Sequence, residues 1–155
     1  LILIFLVILS AQCWAQGPKD EINKVIIKQE TDWNKNDMLS YANSFTDDGT
    51  IINFLGLFWK GKSEIITQFK LINDCCIKPT QVKLDIADTH FLNDQTAIVY
   101  IKETLTAKQD YQVPGKILKK GTTDNKMITA IFIKQENSWK IRSMQVTQIV
   151  PLPPR

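Results

Sequence analysis

The chain has 155 residues, a formal net charge of +3, 44% hydrophobic and 23% charged residues, which suits one domain with a substantial core and is too short for two. Its lysines are spread along the sequence with no basic run and no interleaved aromatics, so nucleic acid is excluded as an expected partner. No internal repeat, Gly-rich nucleotide loop, metal-ligand set or flavin signature is present, and the expected cofactor is none.

Leu1 to Leu9 are unbroken aliphatic or Phe, and Cys13-Trp14-Ala15 offers small residues for signal peptidase, so Leu1–Ala15 is expected to be a signal peptide cut after Ala15. The apolar run is far shorter than the roughly 20 residues a span needs. The expectation is a secreted or periplasmic protein with no membrane association after cleavage, residues 16–150 forming the domain and 151–155 a Pro-rich extended tail.

From Pro18 to Asn36, Ile22, Val25, Ile26, Gln29 and Trp33 step at three and four residues, with Asp20 and Glu21 in the first turn, which predicts a long amphipathic helix. Asp37 can cap a second helix, Met38–Phe45, ended by a turn at Thr46-Asp47-Asp48-Gly49. Ile51–Phe54 and Leu57–Lys60 read as a short hairpin around Leu55-Gly56, and Ser63 as the cap of a third helix, Ser63–Cys75. Four long β-branched runs follow, Val82–Leu92, Thr96–Thr106, Lys126–Glu136 and Ser138–Val150, two of their connections carrying turn signals at Asn93-Asp94 and Asn137-Ser138. Helices first and strands after them predict an α+β fold, three N-terminal helices on a strongly bent antiparallel sheet. The switch of apolar parity from Ile86 to Ala87 implies a bulge. Between Ala107 and Asn125 the periodicity fails, so that segment is a lid, a binding loop or disordered.

Cys75 and Cys76 are adjacent. Neighbouring α-carbons lie about 3.8 Å apart, below the usual disulfide span of about 4.4–6.8 Å, so two free thiols and a vicinal disulfide both stay open. Metal is expected to be none, because His90 is the only histidine and stands alone.

The run Trp33...Asn36-Asp37...Phe45-Thr46-Asp47-Asp48-Gly49...Asn53-Phe54...Gly56...Trp59-Lys60-Gly61-Lys62, with Trp139-Lys140-Ile141...Met144-Gln145-Val146-Thr147 near the end, resembles the SgcJ/EcaC family, in the SnoaL-like branch of the nuclear-transport-factor-2-like superfamily. The resemblance implies a cone with a pocket between helices and sheet, and frequent homodimers through the sheet. It also permits a check for ketosteroid-type isomerisation. The position of that reaction's base holds Asn53, and the position of its oxyanion tyrosine holds Gln29. An amide has no usable proton affinity near neutral pH, and Met127 to Ile133 contains no acid, so that reaction is not expected.

The residues that remain give two readings from different classes. One is a pocket for a small hydrophobic molecule, lined by Trp33, Tyr41, Asn53, Phe54, Trp59, Tyr100, Gln145 and Thr147. Gln145 and Thr147 share strand parity with Trp139 and Ile141, so they are expected to face the pocket, Gln145 near Trp33 and Tyr41. The other is a cofactor-free acid/base enzyme of isomerase, cyclase or hydrolase type acting on a hydrophobic carbonyl compound. His90 or Asp48 would be its base, and Tyr41, Tyr100 or Gln145 would donate to the oxyanion. For His90 the alternative is a polar strand edge, and for Asp48 closure of its turn. A protein-interaction module is the third reading.

Overall fold

The computed structural model describes residues 17–113 and 115–150. The expected signal peptide and the Pro-rich tail lie outside the described residues. Helix α1 (Pro18–Asn34) opens with proline at its first position, where a missing N–H leaves no bond unmade, and buries Ile22, Ile26 and Gln29. Helix α2 (Met38–Ala42) is capped by Asp37, whose carboxylate accepts from Ser40 N at 2.9 Å. It ends before Phe45 because Phe45–Ile52 is strand β1, so the expected turn at residues 46–49 lies within a strand. The irregularity is real, however. Phe45 pairs with Ile141 and Thr50 with Ser143, so the intervening β1 residues bulge out of register. A Cβ at Gly49 would sit 2.9 Å from Thr46 O, which reserves that position for glycine.

Strand β2 (Phe58–Lys60) returns antiparallel to β1 around Gly56, whose φ of 80° few other residues adopt. Helix α3 (Lys62–Ile72) starts after Gly61, and Ser63 does not cap it. Glu64 reaches back to accept from Lys60 N at 2.9 Å instead. A π-helical turn, Asn73–Ile77, completes the segment and carries a vicinal Cys75–Cys76 disulfide.

The long strands are β3 (Thr80–Asn93), β4 (Thr96–Ala107), β7 (Thr123–Gln135) and β8 (Ser138–Gln148). Between β4 and β7 lies a two-stranded hairpin, β5 (Tyr111–Val113) and β6 (Lys116–Leu118). The main sheet has six strands in the order β2-β1-β8-β7-β4-β3. The expected all-antiparallel sheet is corrected at one seam: β1 runs parallel to β8, because α1 and α2 deliver the chain to the edge of the meander before the meander is made. The register shift between Ile86 and Asp88 supplies the bulge implied by the sequence, and a second shift opposite Arg142 bends the β7–β8 pair. Phe45, Val99, Phe132 and Ile141 of the curved sheet and Ile65 of α3 belong to one core, all essentially sealed from water. Each such side chain contributes roughly 1.5–3 kcal/mol by burial.

Candidate functional site

Helices and sheet do not close completely on one another. A cavity of about 270 Å³ remains, walled by α1, α3, the π-helical turn, the β1–β2 hairpin, the inner faces of β4, β7 and β8, and strand β5. Most of its wall is apolar. Trp33, Tyr41, Trp59 and Phe69 form an edge-to-face cluster, with Tyr41–Phe69 and Trp59–Phe69 centroids 5.2 and 5.5 Å apart. Leu55 and Leu57, about half exposed, edge the opening.

One polar cluster interrupts this wall. On β4 the buried positions alternate strictly, Ala97, Val99, Ile101, Glu103, Leu105 and Ala107, so Glu103 faces inward by parity with its aliphatic neighbours. Lys126 is its cross-strand partner on β7 and is 2% exposed. Lys126 Nζ lies 3.2 Å from Glu103 Oε1 and donates to Asp124 Oδ2 at 2.8 Å, with the Phe54 ring centroid 5.2 Å away. Gln148 Nε2 donates to the other Asp124 oxygen at 2.8 Å.

Burial pushes the Glu103 carboxyl above the usual glutamate range; Lys126 opposes that rise and the Asp124 charge adds to it. Tyr41 and Tyr111 are both raised, first by burial and then by nearby carboxylates, Glu103 and Asp32 for Tyr41, Asp124 and Glu103 for Tyr111. Their hydroxyls therefore stay protonated and can donate. Among the described residues, no group of three His, Cys, Asp or Glu side chains is placed to hold a metal ion.

Of the residues singled out from sequence, Trp33, Tyr41, Asn53, Phe54 and Trp59 meet at the cavity. Two of them have structural duties as well. Trp33 Nε1 donates to Thr80 Oγ1 at 3.1 Å, and Asn53 Oδ1 accepts from Leu55 N and Leu57 N, which fixes the hairpin turn. The rest lie elsewhere. Gln145 and Thr147 are exposed on the outer face, because the bulge at Arg142 resets the strand's parity and turns Met144 and Val146 into the cavity in their place. His90 projects from the outer face, 61% exposed, 2.9 Å from Asp88 and edge-on to Tyr100, which shares that face. Asp48 is exposed on the β1 bulge, accepting from Thr46 Oγ1 and pairing with Arg142 at 3.2 Å.

Glu103, Asp124, Lys126 and Tyr111 were not singled out from sequence. The signal for Glu103 and Lys126 was an ionisable residue at an apolar parity in each of two strands. Tyr111 carried no such signal, since its hairpin falls where periodicity fails. Cys76 also lines the cavity, so the vicinal disulfide belongs to its wall.

No protein-family profile and no curated protein matches this sequence. Solved structures do. An uncharacterised protein with a cystatin-like fold from Caulobacter vibrioides superposes with a TM-score of 0.74 at 21% identity, over 86% of this chain and 90% of that one. A domain of unknown function with a cystatin-like fold from Nostoc punctiforme gives 0.73 at 20% identity, over 86% and 78%. A ketosteroid isomerase-like protein from Erwinia carotovora atroseptica gives 0.65 at 18% identity, over 85% and 96%. Identities this low establish the fold alone, and that fold is the cystatin-like, nuclear-transport-factor-2-like one.

Proposed function

We propose that this chain is an exported SnoaL-like domain of the SgcJ/EcaC kind whose cavity binds a small hydrophobic molecule, the domain working as a homodimer joined through the outer face of its sheet. The observation that carries this reading is a cavity of about 270 Å³ with aromatic and aliphatic walls and one polar cluster, the composition expected of a ligand site and a volume just below the usual range of about 300–1,000 Å³, which suits a small ligand. Partly exposed Ile98, Tyr100 and Ile131 on the outer face support the dimer. The test is a thermal-shift screen of small hydrophobic compounds on the full chain and on Val146→Trp, which fills the cavity from β8. Ligands should stabilise the first and not the second; equal shifts in both proteins reject the site.

A second reading is favoured by the shared cavity of Glu103 and Tyr41. An acid whose burial keeps its proton to higher pH, beside a hydroxyl free to donate, is equipped for proton transfer next to a carbonyl. In this reading Glu103 replaces His90 and Asp48 as the acid/base group of a cofactor-free enzyme on a hydrophobic carbonyl compound. Deuterium exchange α to the carbonyl of a cyclic ketone, followed by NMR, should exceed the buffer rate and return to it in Glu103→Gln; exchange at the buffer rate with wild type rejects the enzyme. The interaction module has less support, since side chains do not fill the cavity.

A further inference from the structure

Granting that the cavity binds a small molecule, we infer that Cys75 and Cys76 form a thiol–disulfide exchange site whose co-reactant is a dithiol, and that the oxidation state of this pair sets the cavity's affinity. The two sulfurs face different surroundings. Cys75 is exposed, so a dissolved thiolate can reach it, whereas Cys76 is half-buried and stands in the cavity wall beside Ile72 and Ile77. A bond between neighbours is also a poor staple. Disulfides stabilise chiefly by closing long loops of the unfolded chain, and this one closes no loop beyond the pair itself, so holding the fold together does not account for it.

The position of the pair gives it leverage on the cavity. Both cysteines lie in the π-helical turn Asn73–Ile77, which joins α3 to β3 and packs against β5, whose Tyr111 and Val113 line the same space. The carbonyls of Cys76 and Ile77 share the Thr80 hydroxyl, at 3.3 and 2.8 Å, and Thr80 Oγ1 accepts in turn from Trp33 Nε1 at 3.1 Å. A change at the cysteines therefore reaches an aromatic side chain of the wall. Exchange begins when one thiolate of the dithiol attacks Cys75 Sγ, forming a mixed disulfide and expelling Cys76 as a thiolate, which takes up a proton. The second thiolate then displaces Cys75 in the same way. The pair is reduced to thiols, and the dithiol, having given up its protons and an electron pair, leaves as its own disulfide. Opening the bond frees both side chains, so the wall must be ordered again when a ligand enters, and binding weakens.

The test reduces the full chain with dithiothreitol and compares the two forms by calorimetry with 1-naphthylmethanol at neutral pH. Iodoacetamide followed by peptide mapping should label neither Cys75 nor Cys76 before reduction and both after it. Reduction should weaken binding of the probe about tenfold, or about 1.4 kcal/mol, the order expected for reordering two side chains. Reoxidation should restore it. The double variant Cys75→Ser, Cys76→Ser should bind as weakly as the reduced protein and ignore dithiothreitol, and the wild-type comparison decides the matter even if that variant fails to fold. Labelling without reductant, a bond that dithiothreitol leaves intact, or loss of the fold on reduction overturns the exchange site. Equal or tighter binding by the reduced form, or a dithiothreitol effect that persists in the folded double variant, overturns its control of the cavity; in all these cases the binding reading stands. Failure of the probe to bind either form overturns that reading and this inference together.

Discussion

Two regions of this molecule place a carboxylate beside a basic side chain, and only one of them gives that arrangement consequences. On the outer surface, Asp48 with Arg142 and Asp88 with His90 are open to water, their side chains 40–70% exposed. Inside, Glu103, Lys126 and Asp124 make contacts of similar length with side chains at most 16% exposed. In water the Coulomb term for such a pair is about 1 kcal/mol at 4 Å and grows several-fold where the dielectric falls. Residue identity is nearly the same in both places; burial is what turns a solvated ion pair into a group that can hold a proton or a ligand.

The largest effect should come from breaking the inner cluster. Lys126→Met leaves Glu103 and Asp124 buried without their shared ammonium, and chemical denaturation should show a loss of about 3–5 kcal/mol. A loss below 1 kcal/mol would mean that water reaches the cluster freely, and the contrast with the surface pairs would collapse.

Dependence on pH should separate the regions by sign. The Glu103 carboxyl is raised above its ordinary value of 4.5, so the folded state holds that proton more tightly than the unfolded one. Its contribution to stability is then fully present below pH 4.5 and is lost as pH rises through the folded value. Asp47 and Asp110 are lowered instead, by hydrogen bonds from Lys62 and Lys119, and their contributions are lost as pH falls. The melting temperature of Glu103→Gln relative to wild type should therefore rise as pH climbs above 4.5, whereas that of Asp47→Asn should fall as pH climbs toward 3.8 and stay level above it. A flat Glu103→Gln difference across that range would show that the carboxyl is not raised.

A smaller effect is expected at Gln29, fully buried with neither amide atom paired among the described residues. Gln29→Met, similar in shape and apolar, should raise stability by about 1 kcal/mol; a loss of that size would point to a buried water serving the amide. The smallest belongs to the surface. Arg142→Ala should change the unfolding free energy by no more than about 1 kcal/mol, and a larger loss in the same denaturation assay would make the Asp48 bulge a structural clamp.

The same contrast explains what was legible in the sequence. Helix α1, the hairpin at Gly56 and the four long strands follow from local periodicity and turn chemistry, so their order and type could be read directly. The parallel β1–β8 seam could not, because pairing of strands far apart in the chain has no local signature. At Arg142 a single bulged residue exchanged the faces of everything after it, sending Gln145 and Thr147 outward and Met144 and Val146 inward. Glu103 was readable in principle, as an acid in phase with Val99, Ile101 and Leu105, but its pairing with Lys126 required the β4–β7 register. The aromatic wall was anticipated in Trp33, Tyr41, Phe54 and Trp59, since large apolar side chains near the helix–sheet junction have few other places to go.

The central claim is that ligands enter the inner cavity and not the surface acid–base pairs. Two-dimensional NMR of the labelled protein titrated with 1-naphthylmethanol, a neutral probe that does not presuppose the charge of the natural ligand, tests it most directly. The account predicts saturable shifts at the backbone amides of Tyr41, Glu103 and Lys126, with those of Asp48 and His90 unmoved. Shifts confined to the outer face around His90 and Tyr100, or none at any concentration of the probe, would contradict it.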